Sequence, residues 1–282
     1  MHHKPQLLEQ IMVNLALVAV GIFVLLPLYG FAQLAFDASL TGQPLEFRVW
    51  PKAFSGEAFQ AVWGRVSQGQ DFVGALRNSF IVSGGAAALS VTLGAGMAYV
   101  LARRRFPGQR ATLFVLLVGA MLPAVALMTP LYILLTALKI RTTLLGLVVV
   151  YTSFAMPFCV WNLRAAFQAV PRELEESAFL DGASPLRAFA YITLPLALPA
   201  IGVAALLSFL AGYTEFAMGW LFVDKSDNVT LAMSVSSYIS QGSIRWNQLA
   251  ALSLLMSAPV VAVFIVLQRY LLSGLSLGRA EE

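Results

Sequence analysis

Residues 171–199 read PRELEESAFLDGASPLRAFAYITLPLALP, a charged, glycine-broken island between two apolar runs that are each long enough to cross a bilayer. Glu173, Glu175, Glu176 and Asp181 cannot lie in hydrocarbon, where a carboxylate at the bilayer centre costs roughly 2.5 to 3.5 kcal/mol even on lenient insertion scales. The island therefore belongs at a membrane surface, and its local signals predict that it is folded there. Pro171 suits a first helical position, where its missing N–H would be unpaired anyway, and the acids of the next turn complement the positive end of the helix dipole. A short helix over Arg172 to Asp181 follows. Gly182 supplies the left-handed ending, and Ser184 with Pro185 reads as the cap and first turn of a second helix. Two roles fit a helix, a glycine elbow and a helix leading back into the membrane: a connector lying on lipid headgroups, or a surface for a protein partner. Headgroup-resting helices are usually rich in Lys and Arg, whereas this one is net acidic, which favours the protein partner.

Working outward, the chain has 59% hydrophobic and 11% charged residues over 282 positions, against about 25% charged in soluble domains. It reads as an all-α polytopic membrane protein. A span of a hydrocarbon core takes roughly 20 apolar residues, and six runs qualify: Ile11 to Phe36, Leu76 to Ala102, Ala111 to Leu138, Thr143 to Trp161, Leu194 to Phe216 and Leu249 to Leu271. The polar cluster Lys139, Arg141, Thr142 and Thr143 predicts a tight hairpin between the third and fourth. The first run is too long for a secretory signal and is read as a retained anchor.

Placing the N-terminus in the cytoplasm puts ten Lys or Arg inside and eight outside. RRRFPGQR, residues 103–110, adds density, with four arginines tight against two spans, so both termini, that loop and the acidic island are assigned to the cytoplasmic side. The expected layout is a cytoplasmic N-terminus (1–10), a six-helix domain (11–272) with external loops near 37–75 and 218–247 and a cytoplasmic loop near 166–193, and a cytoplasmic tail (273–282).

The basic residues form no aromatic-interleaved patch, so nucleic-acid binding is not expected despite a net charge of +4. Cys159 is alone, and His2 and His3 lack a third ligand, so no disulfide or metal cluster is predicted. The chain has no phosphate-binding G-x-x-x-x-G-K-[ST] loop and no histidine beyond position 3 to act as a base. It is not expected to be an enzyme or to hydrolyse ATP. Asn228-Val229-Thr230 matches a glycosylation acceptor, a pattern short enough to arise by chance. Glu215, near the outer end of the fifth span, has two open readings: an interfacial carboxylate satisfied by water or a neighbouring hydroxyl, or a group lining a water-filled passage.

The string ELEESAFLDGASPLRAFAYITLPLALPA, residues 173–200, resembles the EAA loop of bacterial ABC importer permeases, whose pattern approximates E-A-A-x-x-D-G-A followed by an apolar stretch and L-P. Glu176, Ser177, Ala178, Asp181, Gly182, Ala183, Leu194 and Pro195 occupy its positions, with Ser177 in place of the commoner alanine. ARRRFPG (102–108), YTEFAMGWLFVDKSDNVTLAMSVSSYI (213–239) and WNQLAALSLLMSAPVVAVFIVLQRYLLSGLSLG (246–278) are similar to the carbohydrate-uptake branch, and most similar to the smaller membrane subunit of maltose/maltodextrin importers.

That resemblance implies a type I ABC importer permease fold in the bacterial inner membrane, with four kinds of partner: the lipid bilayer, a larger homologous permease, an ATPase dimer and an external sugar-binding protein. No cofactor would be bound by this chain; ATP and Mg would belong to the ATPase. Coupling to the ATPase would fall to Glu175, Glu176, Ser177, Ala178, Phe179, Asp181, Gly182 and Pro185. Contact with the binding protein would fall to Lys225, Ser226, Asp227 and Asn228. Maltose or maltodextrins lead as solute, followed by trehalose, sucrose or another oligosaccharide. Relatives often end G-L-T-x-G-x-V-K-G; here Gly274 and Leu275 match, Ser276 replaces threonine, and Arg279 to Glu282 depart from the segment that implies a tail contact with the ATPase.

Overall fold

A computed structural model of the chain describes residues 7–40, 43–44, 49–67, 69–240 and 243–277; the His2 and His3 terminus and the tail Arg279 to Glu282 lie outside them. The order of elements is α1 (Leu7–Ala35), α2 (Glu57–Gly64), α3 (Phe72–Arg103), α4 (Gln109–Met121), α5 (Ala124–Ala137), α6 (Leu144–Ala169), α7 (Arg172–Leu180), α8 (Pro185–Ala188), a π-helical turn at Phe189–Thr193, α9 (Leu194–Leu196), α10 (Leu198–Thr214), α11 (Ala217–Phe222), α12 (Leu231–Ser234), the paired two-residue strands β1 (Ile239–Ser240) and β2 (Ser243–Ile244), and α13 (Trp246–Leu277). Two compact units are distinguished: the described residues of Met1–Val66 with Val235–Ala258, and those of Ser67–Ser234 with Pro259–Glu282.

Among the described residues, four stretches are long and apolar enough to cross a membrane: Gln10–Ala35, Phe72–Arg103, Leu144–Ala169 and Trp246–Val266. The other two expected spans are broken. α4 and α5 meet at 100°, and Pro185–Leu196 meets α10 at 77°; counting each bent pair as one span gives six. The first break follows from Pro123. The residue before a proline is pushed out of the helical region, and Leu122 (φ −66°, ψ 129°) and Pro123 (φ −65°, ψ 126°) are both extended. At the second break, Pro195 and Pro199 lack the N–H groups a continuous helix would use, and Ala197 between them has ψ 7°.

The larger unit is built on α3 against α6 and α10. Helices gain no hydrophobic drive from one another in lipid, so they associate by close van der Waals approach over small residues. A Cβ on Gly94 would stand 3.0 Å from the Cβ of Cys159, and one on Gly85 would stand 3.1 Å from a methyl of Val148. Cys159 Sγ in turn lies 3.1 Å from Ser208 Oγ of α10. One apolar cluster gathers Val82, Leu147, Tyr151, Phe222 and Met233, and a second gathers Leu101, Cys159, Leu163, Phe167 and Ala204.

At the end of this unit where α3 begins, the predicted hairpin is present, with Lys139 and Thr142 at φ +60° and +62°. A left-handed β-branched residue is strained and needs outside support. Thr142 N–H donates to Phe222 O (3.0 Å), Asn228 Nδ2 donates to Thr142 O (2.7 Å), and Arg141 pairs with Asp224 at 2.6 Å. Asn78 of α3 donates to the carbonyls of Asp227 (2.7 Å) and Val229 (3.0 Å).

In the smaller unit the Asp37 carboxylate accepts from Ser39 N–H (2.9 Å), Ser39 Oγ (2.6 Å) and Lys52 N–H (3.3 Å). Phe36 packs against Phe54 and Phe59 with ring centres 4.9 and 4.8 Å away. Tyr238 donates to Arg65 O at 3.2 Å, under the guanidinium of Arg245.

Two expectations follow. Gly94→Leu should lower the melting temperature of the purified protein, at about 1–3 kcal/mol for overpacking, whereas Gly96→Leu, with nothing within 4 Å of its Cβ position, should leave it nearly unchanged. Burial pushes the Asp37 carboxyl up, but hydrogen bonds from Ser39, Lys52 and Ala53 outweigh it and hold the group below its ordinary value. Its stabilisation is thus full above about pH 4, the unfolded range, and is lost as the pH falls through the lowered value. Hydrogen exchange at the Ser39 and Lys52 amides, corrected for intrinsic rate, should quicken there in the wild type and show no such step in Asp37→Asn.

Candidate functional site

The acidic island folds as a helix, an elbow and a helix. Pro171 stands just outside α7 as its cap (φ −56°, ψ 132°), one place earlier than expected, and Arg172 is the first helical residue. At the other end Asp181 lies past the last helical residue. Gly182 takes φ +85°, its N–H bonds to Phe179 O (3.1 Å), and Ala183 N–H bonds to Ala178 O (2.9 Å). Those two bonds form a Schellman ending, the arrangement for which a glycine is favoured at the left-handed position. Ser184 Oγ then accepts from Arg187 N–H at 3.3 Å with Pro185 at the first turn of α8, as the sequence predicts.

At 100° per residue, α7 presents two faces. Glu173, Glu176 and Ser177 are exposed, as are Asp181, Gly182 and Pro185, and Phe179 is 40% exposed; Ala178 is half-buried. Leu180, Leu186 and Tyr191 stand out at 90%, 74% and 80% exposure, well above Leu174 and Phe179. Sequence reasoning that attended to the acids missed them, although Leu180 falls four residues after Glu176 and hence on its face.

Glu175 departs from its expected place beside Glu176 on the outer face. It is buried and faces α3, where Arg103 Nε donates to Oε1 at 2.9 Å and Tyr99 Oη donates to Oε2 at 3.3 Å. Thr193 Oγ1 also donates to Oε1. A cavity of about 160 Å³ lies beside the pair, bordered by Arg104, Arg172, Glu176 and Phe179. No local pattern signals the pairing, because Arg103 lies 72 residues from Glu175.

At the opposite end of α3, residues 226–228 form one 3₁₀ turn in which Lys225, Ser226 and Asp227 are exposed and Asn228 is half-buried. The side-chain amide of Asn228 is engaged with Thr142 O, which leaves it poorly disposed as a glycan acceptor.

Glu215 follows α10 directly. Its Oε2 accepts from Tyr151 Oη (2.8 Å) and Gly219 N–H (3.1 Å), and its Oε1 accepts from Met218 N–H (3.1 Å). It therefore caps α11, using the neighbouring hydroxyl of the first reading plus two backbone donors. It also borders a cavity of about 360 Å³ whose walls include Phe154, Phe158, Leu207 and Ser208, with Glu215 the one carboxylate among its lining residues. No group of three or more His, Cys, Asp or Glu among the described residues could hold a metal ion. The arrangement offers surfaces to bind and helices to move.

The profile of a family described as "Binding-protein-dependent transport system inner membrane component" matches residues 90–276. The maltose/maltodextrin transport system permease protein MalG of Salmonella typhimurium is 35% identical over 208 residues, covering 72% of this chain and 70% of that protein. The trehalose transport system permease protein SugB of Mycobacterium tuberculosis is 30% identical over 215 residues, covering 76% and 78%. In fold, the chain superposes on one chain of a bacterial ABC transporter involved in alginate import with TM-score 0.76 and 19% identity, covering 96% of this chain and 99% of that one. The matched region runs from the middle of α3 through the acidic elbow into α13, and the chain belongs to the family of inner membrane components of binding-protein-dependent transport systems.

Proposed function

We propose that this chain is a permease subunit of an ATP-driven sugar importer of the inner membrane, forming the translocation path with a second, homologous permease. The observation that carries the reading is the acidic elbow: an exposed helix fixed at one end by a Schellman turn, carrying Glu173, Glu176 and Asp181 beside the bare Leu180 and Leu186. Its chemistry suits a cleft with basic walls and an apolar floor in a separate ATPase subunit. Glu176 and Asp181 meet the basic groups, Phe179, Leu180 and Leu186 bury apolar surface, and Ser177 and Ala178 keep the approach close. Gly182 and Pro185 hold the elbow's shape. The ATPase dimer binds ATP and Mg, and its closure drives the elbow and, through it, the spans. Both termini and the elbow lie on the cytoplasmic side in this reading, and a sugar-binding protein engages Lys225, Ser226 and Asp227 on the outer side. Asn228 acts there from behind, holding the turn against the hairpin.

Maltose or maltodextrin is the leading solute, supported by MalG relatives at about the same identity over most of the chain; the trehalose permease relative makes trehalose the second reading. Glu215 borders the passage as a fixed wall, its oxygens held by Tyr151 and the α11 amides.

In the reconstituted complex, Glu176→Lys should cut uptake and binding-protein-stimulated ATP hydrolysis by at least about tenfold, the scale of losing one charge-assisted contact. Gly182→Pro should do the same, because proline is held near φ −65°; wild-type rates in both would sink the coupling role. For the solute, calorimetric titration of the cognate external protein should give tightest binding with maltose or maltodextrin. Tightest binding of trehalose would instead select the second reading.

A further inference from the structure

The Glu175 carboxylate points away from the face that would meet an ATPase and into a junction of four elements. Tyr99 and Arg103, one turn apart on α3, both reach it. Thr193, the last residue of the π-helical turn that leads into the broken fifth span, donates its hydroxyl to the same oxygen as Arg103 Nε. Arg103 Nη2 donates to Val170 O at 2.9 Å, the carbonyl that closes α6 just before Pro171. The Arg103 and Glu175 side chains are each 6% exposed. Beneath them the ring of Tyr99 packs on Phe189 at 4.5 Å, and Phe167 meets Phe189 edge-on at 5.8 Å.

A buried ion pair adds little net stability over an apolar pair of the same shape, and one of its attested uses is to fix geometry. Here the geometry needs fixing on the α6 side, because Val170 and Pro171 are both extended and ψ at either can turn if α7 is pushed, whereas the Schellman turn already holds the other end. With the pair intact, α7 moves as one body with the ends of α3 and α6 and with the π-helical turn.

We infer that Glu175 is an internal joint, a positioning residue through which displacement of α7 is delivered to α3 and the fifth span, and that Arg103, Thr193 and Tyr99 are its sockets. The inference rests on the coupling reading above and goes beyond it by separating two adjacent acids: Glu176 holds the motor, and Glu175 holds the pore.

The test uses the whole complex, with ATPase subunits, second permease and binding protein, reconstituted in vesicles. Two readouts are taken for each variant: ATPase retained with the permeases on purification, and solute moved per ATP hydrolysed. Glu175→Gln and Thr193→Val should retain the ATPase at wild-type level and lower solute moved per ATP by about tenfold, the scale of losing a hydrogen bond to a charged group. Glu176→Lys should instead lose the ATPase. Thr193→Val, which leaves the ion pair in place, decides the matter if Glu175→Gln does not accumulate in the membrane. Wild-type solute per ATP in both Thr193→Val and Glu175→Gln would overturn the joint. So would loss of the ATPase from Glu175→Gln, since that would make Glu175 a docking contact. A wild-type complex that neither retains an ATPase nor needs ATP would fail differently, overturning the coupling reading itself.

Discussion

The approach of α3 to α6 at Gly94 and Gly85 is the constraint on which the larger unit depends. In hydrocarbon, shape complementarity replaces the hydrophobic drive of water, so a pair of helices that must stay rigid has to bring its backbones close. Both proposed contact surfaces hang from this pair. Arg103, at the last turn of α3, holds the acidic island. Asn78 and Ser79, near its start, hold the 227–231 segment, the latter by accepting from Leu231 N–H at 2.8 Å. One helix thus sets the registry of two surfaces at its opposite ends.

Breaks in the helices occur where protein can tolerate them. Backbone groups freed inside a membrane must find partners within the protein, and Pro27, Pro130, Pro157 and Pro259 all sit inside helices that continue past them. Pro123 differs because Leu122 and Pro123 are both extended, which ends α4 outright. At Ala197 the π-helical turn just upstream absorbs one extra residue before the chain changes direction. Such turns often accompany function, and this one supplies Thr193 to the Glu175 junction.

What the sequence made legible was local. Gly182, Ser184 and Pro185 lie where an elbow needs them, because capping chemistry is decided within four or five residues. The hairpin at Lys139 to Thr143 was equally plain. The position of Pro171 shifted by one residue, within the ordinary fraying of helix ends. Three things escaped. The bend at Pro123 was hidden by unbroken apolarity from Ala111 to Leu138, since hydropathy reports length and not direction. The burial of Glu175 depended on an arginine far along the chain. The second and third donors to Glu215 come from α11, a turn of helix inside a stretch whose sequence reads as loop. Of these three, only the burial of Glu175 is a tertiary fact with no short-range signature; the bend has a local cause in Pro123 that hydropathy does not register, and the Glu215 donors lie three and four residues on.

The bare side chains of Leu180 and Leu186 carry a cost while nothing covers them. Apolar groups that project from a charged elbow into water stick to one another and to unfolded chains. A surplus of this chain with nothing over the elbow would be prone to clumping, a liability set by the shape of this one loop.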